Sequence, residues 1–323
     1  MDSLIKGFKI VEQKDVIKEL LDYRVKYNER GKYLGFNNLN EHYTMQLGNC
    51  TDWSGFPGSG KTQVLMELLL NTSKYYGWRH LVYFPDVGSK TEIVADLLHK
   101  LTGKTFNPKY DNHIQEDEIY QQINWILHHF LILTKEDVKA KLTPFQFWDM
   151  AASMEGIQTA SIDSWKDMHH DYNKYGSYAQ YLEIVLPYRN QVAEDNNLHL
   201  HTIIHPKLTE KENGVRKAPT PYDLKGGSEW FNSGKCMITV HRETKETNEA
   251  QIIFGKIKPR SVGVTGQINL YLDLVNFVYY EHTEQGQRRY AQSKDSNEVK
   301  DEPTLTDLSK IVDPNFNNEF NPF

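Results

Sequence analysis

Apolar positions along this chain follow two periods, that of the α-helix and that of the β-strand. Behind Asp15, an N-cap residue type, Val16, Ile17, Leu20, Leu21 and Val25 recur at helical spacing as far as Tyr27. That predicts a helix with one apolar face, which needs a surface to lie against. Glu29 to Leu34 reads as a linker. Beyond it, short apolar runs alternate with helix-period segments. Strands are predicted at Leu47 to Thr51, His80 to Phe84, Phe130 to Leu133, Gln158 to Ile162, Leu198 to Ile204, Cys236 to His241 and Ala250 to Ile257. Helices are predicted from Lys61, over Lys90 to Leu101, Gln115 to His129 and Phe145 to Met154, and from Tyr178 to about Asn196. Ile268 to Leu272 alternates like an edge hairpin. Strands alternating with helices predict an α/β fold, a mostly parallel, doubly wound sheet with helices on both faces. Three parts follow: residues 1–34 (helix and linker), 35–284 (the core) and 285–323 (a polar, acidic, largely disordered tail with a short helix at Thr304 to Val312).

Composition narrows the class. The 323 residues are 39% hydrophobic, with no apolar stretch of membrane-spanning length and no secretory leader, so a cytoplasmic protein without a membrane partner is expected. Cys50 and Cys236 are far apart and read as buried free thiols. A net charge of −6 argues against a protein that coats nucleic acid over its whole surface, though it permits a local basic channel. Part of the acid excess lies in the tail, at Asp295, Glu298, Asp301, Glu302, Asp307, Asp313 and Glu319. Phe316, Phe320 and Phe323 punctuate that tail, which is either a solvated segment or a ligand for a basic, apolar groove on another protein.

The chemistry concentrates in Gly55 to Thr62, which reads G-F-P-G-S-G-K-T and fits the phosphate-binding loop G-x-x-x-x-G-K-[ST] at every fixed position. Gly55, Pro57, Gly58, Ser59, Gly60, Lys61, Thr62 and Gln63 form the candidate nucleotide site. There the glycines let successive N–H groups face phosphate oxygens, Lys61 reaches the β- and γ-phosphates, and the Thr62 hydroxyl ligates Mg²⁺. ATP and Mg²⁺ are the implied ligands. Hydrolysis further needs a metal-orienting acid, a carboxylate to orient water, a γ-phosphate sensor and cationic charge. Asp163, closing S-I-D, suits the metal role. Asp86, in F-P-D, suits the water role, with Glu92 the next candidate. His205, in I-I-H-P-K, suits the sensor. Lys258 and Arg260, in K-P-R, offer cations that can serve a neighbouring subunit's nucleotide. A metal site at His199, His201 and His205 lacks a completing cysteine or acid.

With these residues in this order, the chain resembles the RecA-like helicase domain of the DnaB/Twinkle family, Twinkle-type primase–helicases most of all. The resemblance runs from about Gly35 to about Tyr280. It takes in G-F-N-N-L-N-E-H-Y, G-W-R-H-L-V-Y-F-P-D, S-I-D-S-W, I-I-H-P-K, P-T-P-Y-D-L-K-G-G-S-E-W-F-N and K-I-K-P-R-S-V-G-V-T-G. It implies a RecA-like core, ATP hydrolysis, a ring hexamer, and 5′→3′ movement along single-stranded DNA in replication. Residue by residue it implies Lys61 and Thr62 at the nucleotide and metal, Asp163 as Walker B, His205 as sensor, Arg260 with Lys258 as a finger acting in trans, and Arg242 at the base. Lys207, Lys211, Arg216 and Lys217 fall where the family has a channel loop, so they either follow a DNA backbone or belong to a solvated loop with Glu210 and Glu212. Two features depart from the pattern. Asp86 stands where a glutamate is usual, and no primase or zinc-binding segment precedes the core, so priming is not implied. A RecA-fold ATPase that does not unwind DNA (a loader, a recombination mediator or a nucleotide-dependent scaffold) is the alternative.

Overall fold

The computed structural model describes residues 13–26, 30–138, 142–207, 216–284 and 286–289. In chain order the helices are α1 (Gln13–Lys26), α2 (Asn37–His42), α3 (Lys61–Tyr76), α4 (Lys90–Thr102), α5 (Glu116–His129), α6 (Pro144–Ser153), α7 (Tyr178–Asp195) and α8 (Gly227–Ser233). The strands are β1 (Asn49–Ser54), β2 (His80–Tyr83), β3 (Phe130–Leu133), β4 (Thr159–Asp163), β5 (His199–Ile204), β6 (Cys236–His241), β7 (Glu249–Lys256), β8 (Gly266–Leu272), β9 (Tyr279–Thr283) and β10 (Gly286–Arg288).

Among the described residues the strands form one sheet in the order β10-β9-β8-β7-β6-β1-β5-β4-β2-β3. From β6 to β3 every pair is parallel, and from β6 to β10 every pair is antiparallel. The central parallel strands are buried along their whole length, but β1 (N-C-T-D-W-S), β4 (T-A-S-I-D) and β5 (H-L-H-T-I-I) carry many polar side chains inside the sheet. On one face Val64, Leu65, Leu68 and Leu69 of α3 and Ile93, Leu97 and Leu98 of α4 pack on Trp53, Val82, Phe84 and Ile203. On the other, Phe147 and Trp148 of α6 and Tyr181, Leu182, Val185 and Leu186 of α7 cover Leu81, Ala160, Ile162 and Leu200.

Two expectations are corrected here. Ile268 to Leu272 is no edge: β8 pairs with β7 on one side and β9 on the other. Tyr279–Thr283 supplies the strand beyond it, hidden from the pattern by Glu281 and His282, which follow two adjacent tyrosines and break clean alternation. Strand β10 also runs past the boundary drawn at residue 284, paired Gln287 to His282. The rest of the tail, including Thr304 to Val312, lies outside the described residues. No described helix is long and apolar enough to cross a membrane. On α1, Val16, Ile17, Leu20 and Leu21 are exposed.

Candidate functional site

Every parallel strand points its carboxyl end to the same edge of the sheet, the edge where α/β folds bind ligands. β1 runs into the Gly55–Gly60 loop, and α3 begins at Lys61. Gly60 caps that helix in the left-handed region, at φ 92°, and its carbonyl accepts from Tyr279 Oη at 3.4 Å. A Cβ on Gly60 would come within 2.3 Å of that hydroxyl, and one on Gly55 within 2.3 Å of the Val240 carbonyl oxygen. The two glycines are therefore required by space as well as by φ. Ser59 is buried with a hydroxyl that has no hydrogen-bond partner in the structure, while Pro57 and Gly58 sit exposed at the tip. Lys61 is 5% exposed, and its ammonium donates to the Phe56 carbonyl at 3.4 Å. Burial lowers its pKa, and Asp163 and Asp86 oppose that shift. Gln63 turns aside, its amide donating to Asp96 at 2.8 Å.

The three sequence-predicted partners arrive on neighbouring strands. Asp163 ends β4, and its Oδ2 accepts from the Thr62 hydroxyl at 2.5 Å. Burial pushes this carboxyl up to about 6, against the pull of Thr62 and Lys61. A hydroxyl and an ionisable carboxylate joined in this way are hard oxygen donors, the type Mg²⁺ takes when substrate phosphates complete its shell. Asp86 follows β2, and His205 follows β5. His205 Nε2 lies 3.0 Å from Asp86 Oδ2, and because a carboxylate only accepts, Nε2 carries the proton. Burial and the charge of Lys61 lower the His205 pKa, and its buried Nδ1 has no partner in the structure.

Two residues at this centre carried no role in the sequence reading. Lys166 Nζ lies 3.2 Å from Asp86 Oδ2, and Ser164 Oγ lies 3.2 Å from the same oxygen. Burial alone would raise Asp86, but His205 and Lys166 outweigh it and hold the carboxyl at about 2. The signal was available in S-I-D-S-W-K-D, where both residues closely follow Asp163. Glu92 is not a substitute for Asp86: it caps α4, its Oε2 accepting from the Ser89 amide at 2.7 Å.

Other predicted residues separate. Arg242 leaves β6 beside the phosphate loop, but its guanidinium donates to the carbonyls of Thr247 (2.8 Å) and Lys245 within its own hairpin. Lys245 of that hairpin lies against Gly58, where an added Cβ would come 2.7 Å from Lys245 Cε. Lys207 and Lys217 are exposed, and Lys211 lies outside the described residues. Arg216 sits over the Phe56 ring, 5.6 Å from its centroid, and so meets the phosphate loop. Lys258 and Arg260 are exposed at the opposite edge of the sheet. The Lys258 carbonyl accepts from Asn49 at the start of β1 (2.9 Å), the length of that strand away from the loop, roughly 20 Å. His199 and His201 are buried among Thr51, Tyr43, Gln46 and Trp53, apart from His205.

A phosphate loop opening α3, with acids and a histidine at the ends of β2, β4 and β5, defines a RecA-like P-loop ATPase fold. No family model matches the chain. It is similar to the Twinkle homolog protein, chloroplastic/mitochondrial, of Arabidopsis thaliana, 24% identical over 279 residues that make up 80% of this chain and 38% of that protein. The chain thus spans well under half of that relative's length. Among solved structures, an ATPase domain superposes with a TM-score of 0.65 at 13% identity, over 84% of this chain and 99% of that one. A DnaB-like replicative helicase, described with its interactions with primase, superposes at 0.64 and 14% identity, over 84% of this chain and 67% of that one. The resemblance to the DnaB/Twinkle family read from the motifs is thus met in sequence and in fold.

Proposed function

We propose that this chain is an ATP- and Mg²⁺-dependent DNA helicase motor that works as a ring, most simply a hexamer, on single-stranded DNA during replication, moving 5′→3′. The observation that carries the reading is the split of the charged residues between two edges of one sheet. The phosphate loop, Asp163, Asp86 and His205 meet at one edge, while Lys258 and Arg260 stand at the other, out of reach of their own loop. A site built this way is completed by the next copy around a ring.

In this reading Lys61 binds the β- and γ-phosphates, and Thr62 with Asp163 holds the metal, which supplies positive charge to the phosphate oxygens when bound. Asp86 orients the attacking water, and its low pKa suits orientation better than proton abstraction, which a loose phosphoryl transition state needs little of. His205 reports the γ-phosphate by exchanging its bond to Asp86. Arg216, on the loop after β5, links the strand-binding side to Phe56, and Lys207, Lys211 and Lys217 follow the DNA backbone. The acidic tail contacts a replisome partner. ATP turnover with and without single-stranded DNA, strand displacement on a fork with a 5′ tail, and a native mass spectrum with an ATP analogue test the reading. DNA-stimulated turnover with displacement is expected, whereas turnover without displacement would favour a non-unwinding RecA-fold ATPase. The observation that favours this second reading is that the water-orienting position holds an aspartate already engaged by His205 and Lys166.

A further inference from the structure

Two nitrogen donors converge on one oxygen of Asp86, beside a Ser164 hydroxyl whose single proton goes to Asp167 Oδ2 at 2.8 Å. Lys166 Nζ, His205 Nε2 and Ser164 Oγ lie 3.2, 3.0 and 3.2 Å from Oδ2, and none of these contacts falls on Oδ1. Lys166 belongs to the short 3-10 turn Trp165–Asp167 that closely follows β4. Packing fixes that turn from below. Trp165 is buried against Trp148 and Trp230, and its indole donates to Tyr178 Oη at 3.2 Å. The Lys166 side chain is 60% exposed, so charge rather than packing draws it to Asp86.

We propose that Lys166 is a positioning residue for Asp86: together with His205 it pins Oδ2, so that Oδ1 is the oxygen presented to the attacking water. The inference rests on the reading of Asp86 as the water-orienting carboxylate. Rotation about χ2 of an aspartate is broad and roughly two-fold, so a carboxylate held by one contact can swing. A side chain one methylene shorter than the expected glutamate cannot recover a misplaced oxygen by extending. A fixed contact from the same chain restores the placement. An exposed ion pair adds little to stability, so removing it should leave the fold intact.

Lys166→Met keeps the length and removes the charge. Its kcat for ATP should fall roughly 10- to 100-fold with KM unchanged, the size expected when a reacting group loses its placement. Lys166→Arg, which keeps the charge and the donors, should restore most of the rate. In Lys166→Met/Asp86→Asn, turnover should equal that of Asp86→Asn alone, because no carboxylate is left to place. Losses that multiply would show Lys166 acting on the phosphate itself, and a rise in kcat would show the contact holding Asp86 away from water. Either result overturns the proposal. Melting temperature and binding of a fluorescent ATP analogue, measured on each variant, separate misfolding from a lost rate. Wild-type protein without turnover defeats the ATPase reading and this proposal together; turnover with multiplicative losses defeats this one alone.

Discussion

At the residue scale, the proposed function assigns binding and chemistry to different residues. Lys61 and Thr62 open α3, whereas Asp86 comes from another strand and hydrogen-bonds to neither. Asp86→Asn should therefore bind an ATP analogue with wild-type affinity while turnover drops roughly 100-fold or more. Stopped turnover with lost binding would instead place Asp86 in the cradle. Burial also sets how single residues respond to acid. His80, between Thr159 Oγ1 (2.7 Å) and Ser73 Oγ (2.9 Å), is lowered to about 3, with burial the chief cause and His129 adding to it. His199, bonded to the Gln46 carbonyl and Thr51, is lowered to about 4 by burial, and Arg189 adds to the shift. Both take a proton in the unfolded chain near 6.5 and resist it when folded. Their share of stability is whole above pH 6.5 and is lost as pH falls towards 4 and then 3, by about 1.4 kcal/mol per unit for each histidine. Urea midpoints should fall between about pH 7 and pH 4, and His80→Asn should flatten the fall. An equal slope in that variant would assign the acid lability to other groups.

At the element scale, the parallel half of the sheet was legible and the antiparallel half only partly so. His80, Phe130, Thr159 and His199 all open strands within a residue or so of their predicted starts, because each strand is set off by the helix-period segment before it. Strand β9 and helix α8 left weaker traces, since Tyr279–Thr283 mixes aromatics with Glu281 and His282, and Gly227–Ser233 starts on a glycine. The loop motif gave Lys61 and Thr62 directly. Lys166 closely follows Asp163 in the sequence, but its contact with Asp86 was not legible, because Asp86 lies far earlier in the chain. Sequence patterning also hides the pair that ties α7 to β1. Arg189 is buried with Asp52, Nη2 to Oδ2 at 3.1 Å, also donates to Thr202 at 3.2 Å, and lies over the Trp230 ring. Arg189→Leu would strand a buried carboxylate and should cost about 3–5 kcal/mol in urea unfolding. Adding Asp52→Val should recover most of that loss. If the double variant is no more stable than Arg189→Leu, packing around the guanidinium matters more than its charge.

At the scale of the whole molecule, the distance between the two edges of the sheet decides whether the proposed site can be complete within one copy. Lys258 is anchored at the amino end of β1 through Asn49, and the Val262 carbonyl accepts from the Thr44 amide at 2.7 Å, which fixes Arg260 on that side. An arginine cannot span the length of β1 to its own Gly55–Gly60 loop, so a role at phosphate requires a second copy. Arg260→Ala and Lys61→Ala proteins should each lack turnover, the first through a missing cation on the neighbour's γ-phosphate, worth roughly 10³–10⁵ in rate in well-studied NTPases. Mixed together they should regain part of the wild-type rate, because some interfaces then pair an intact loop with an intact Arg260. The gain should track the fraction of mixed assemblies seen by native mass spectrometry. Mixed assemblies without any gain would mean that Arg260 acts only within its own chain, on assembly or folding, and the shared site would have to be given up.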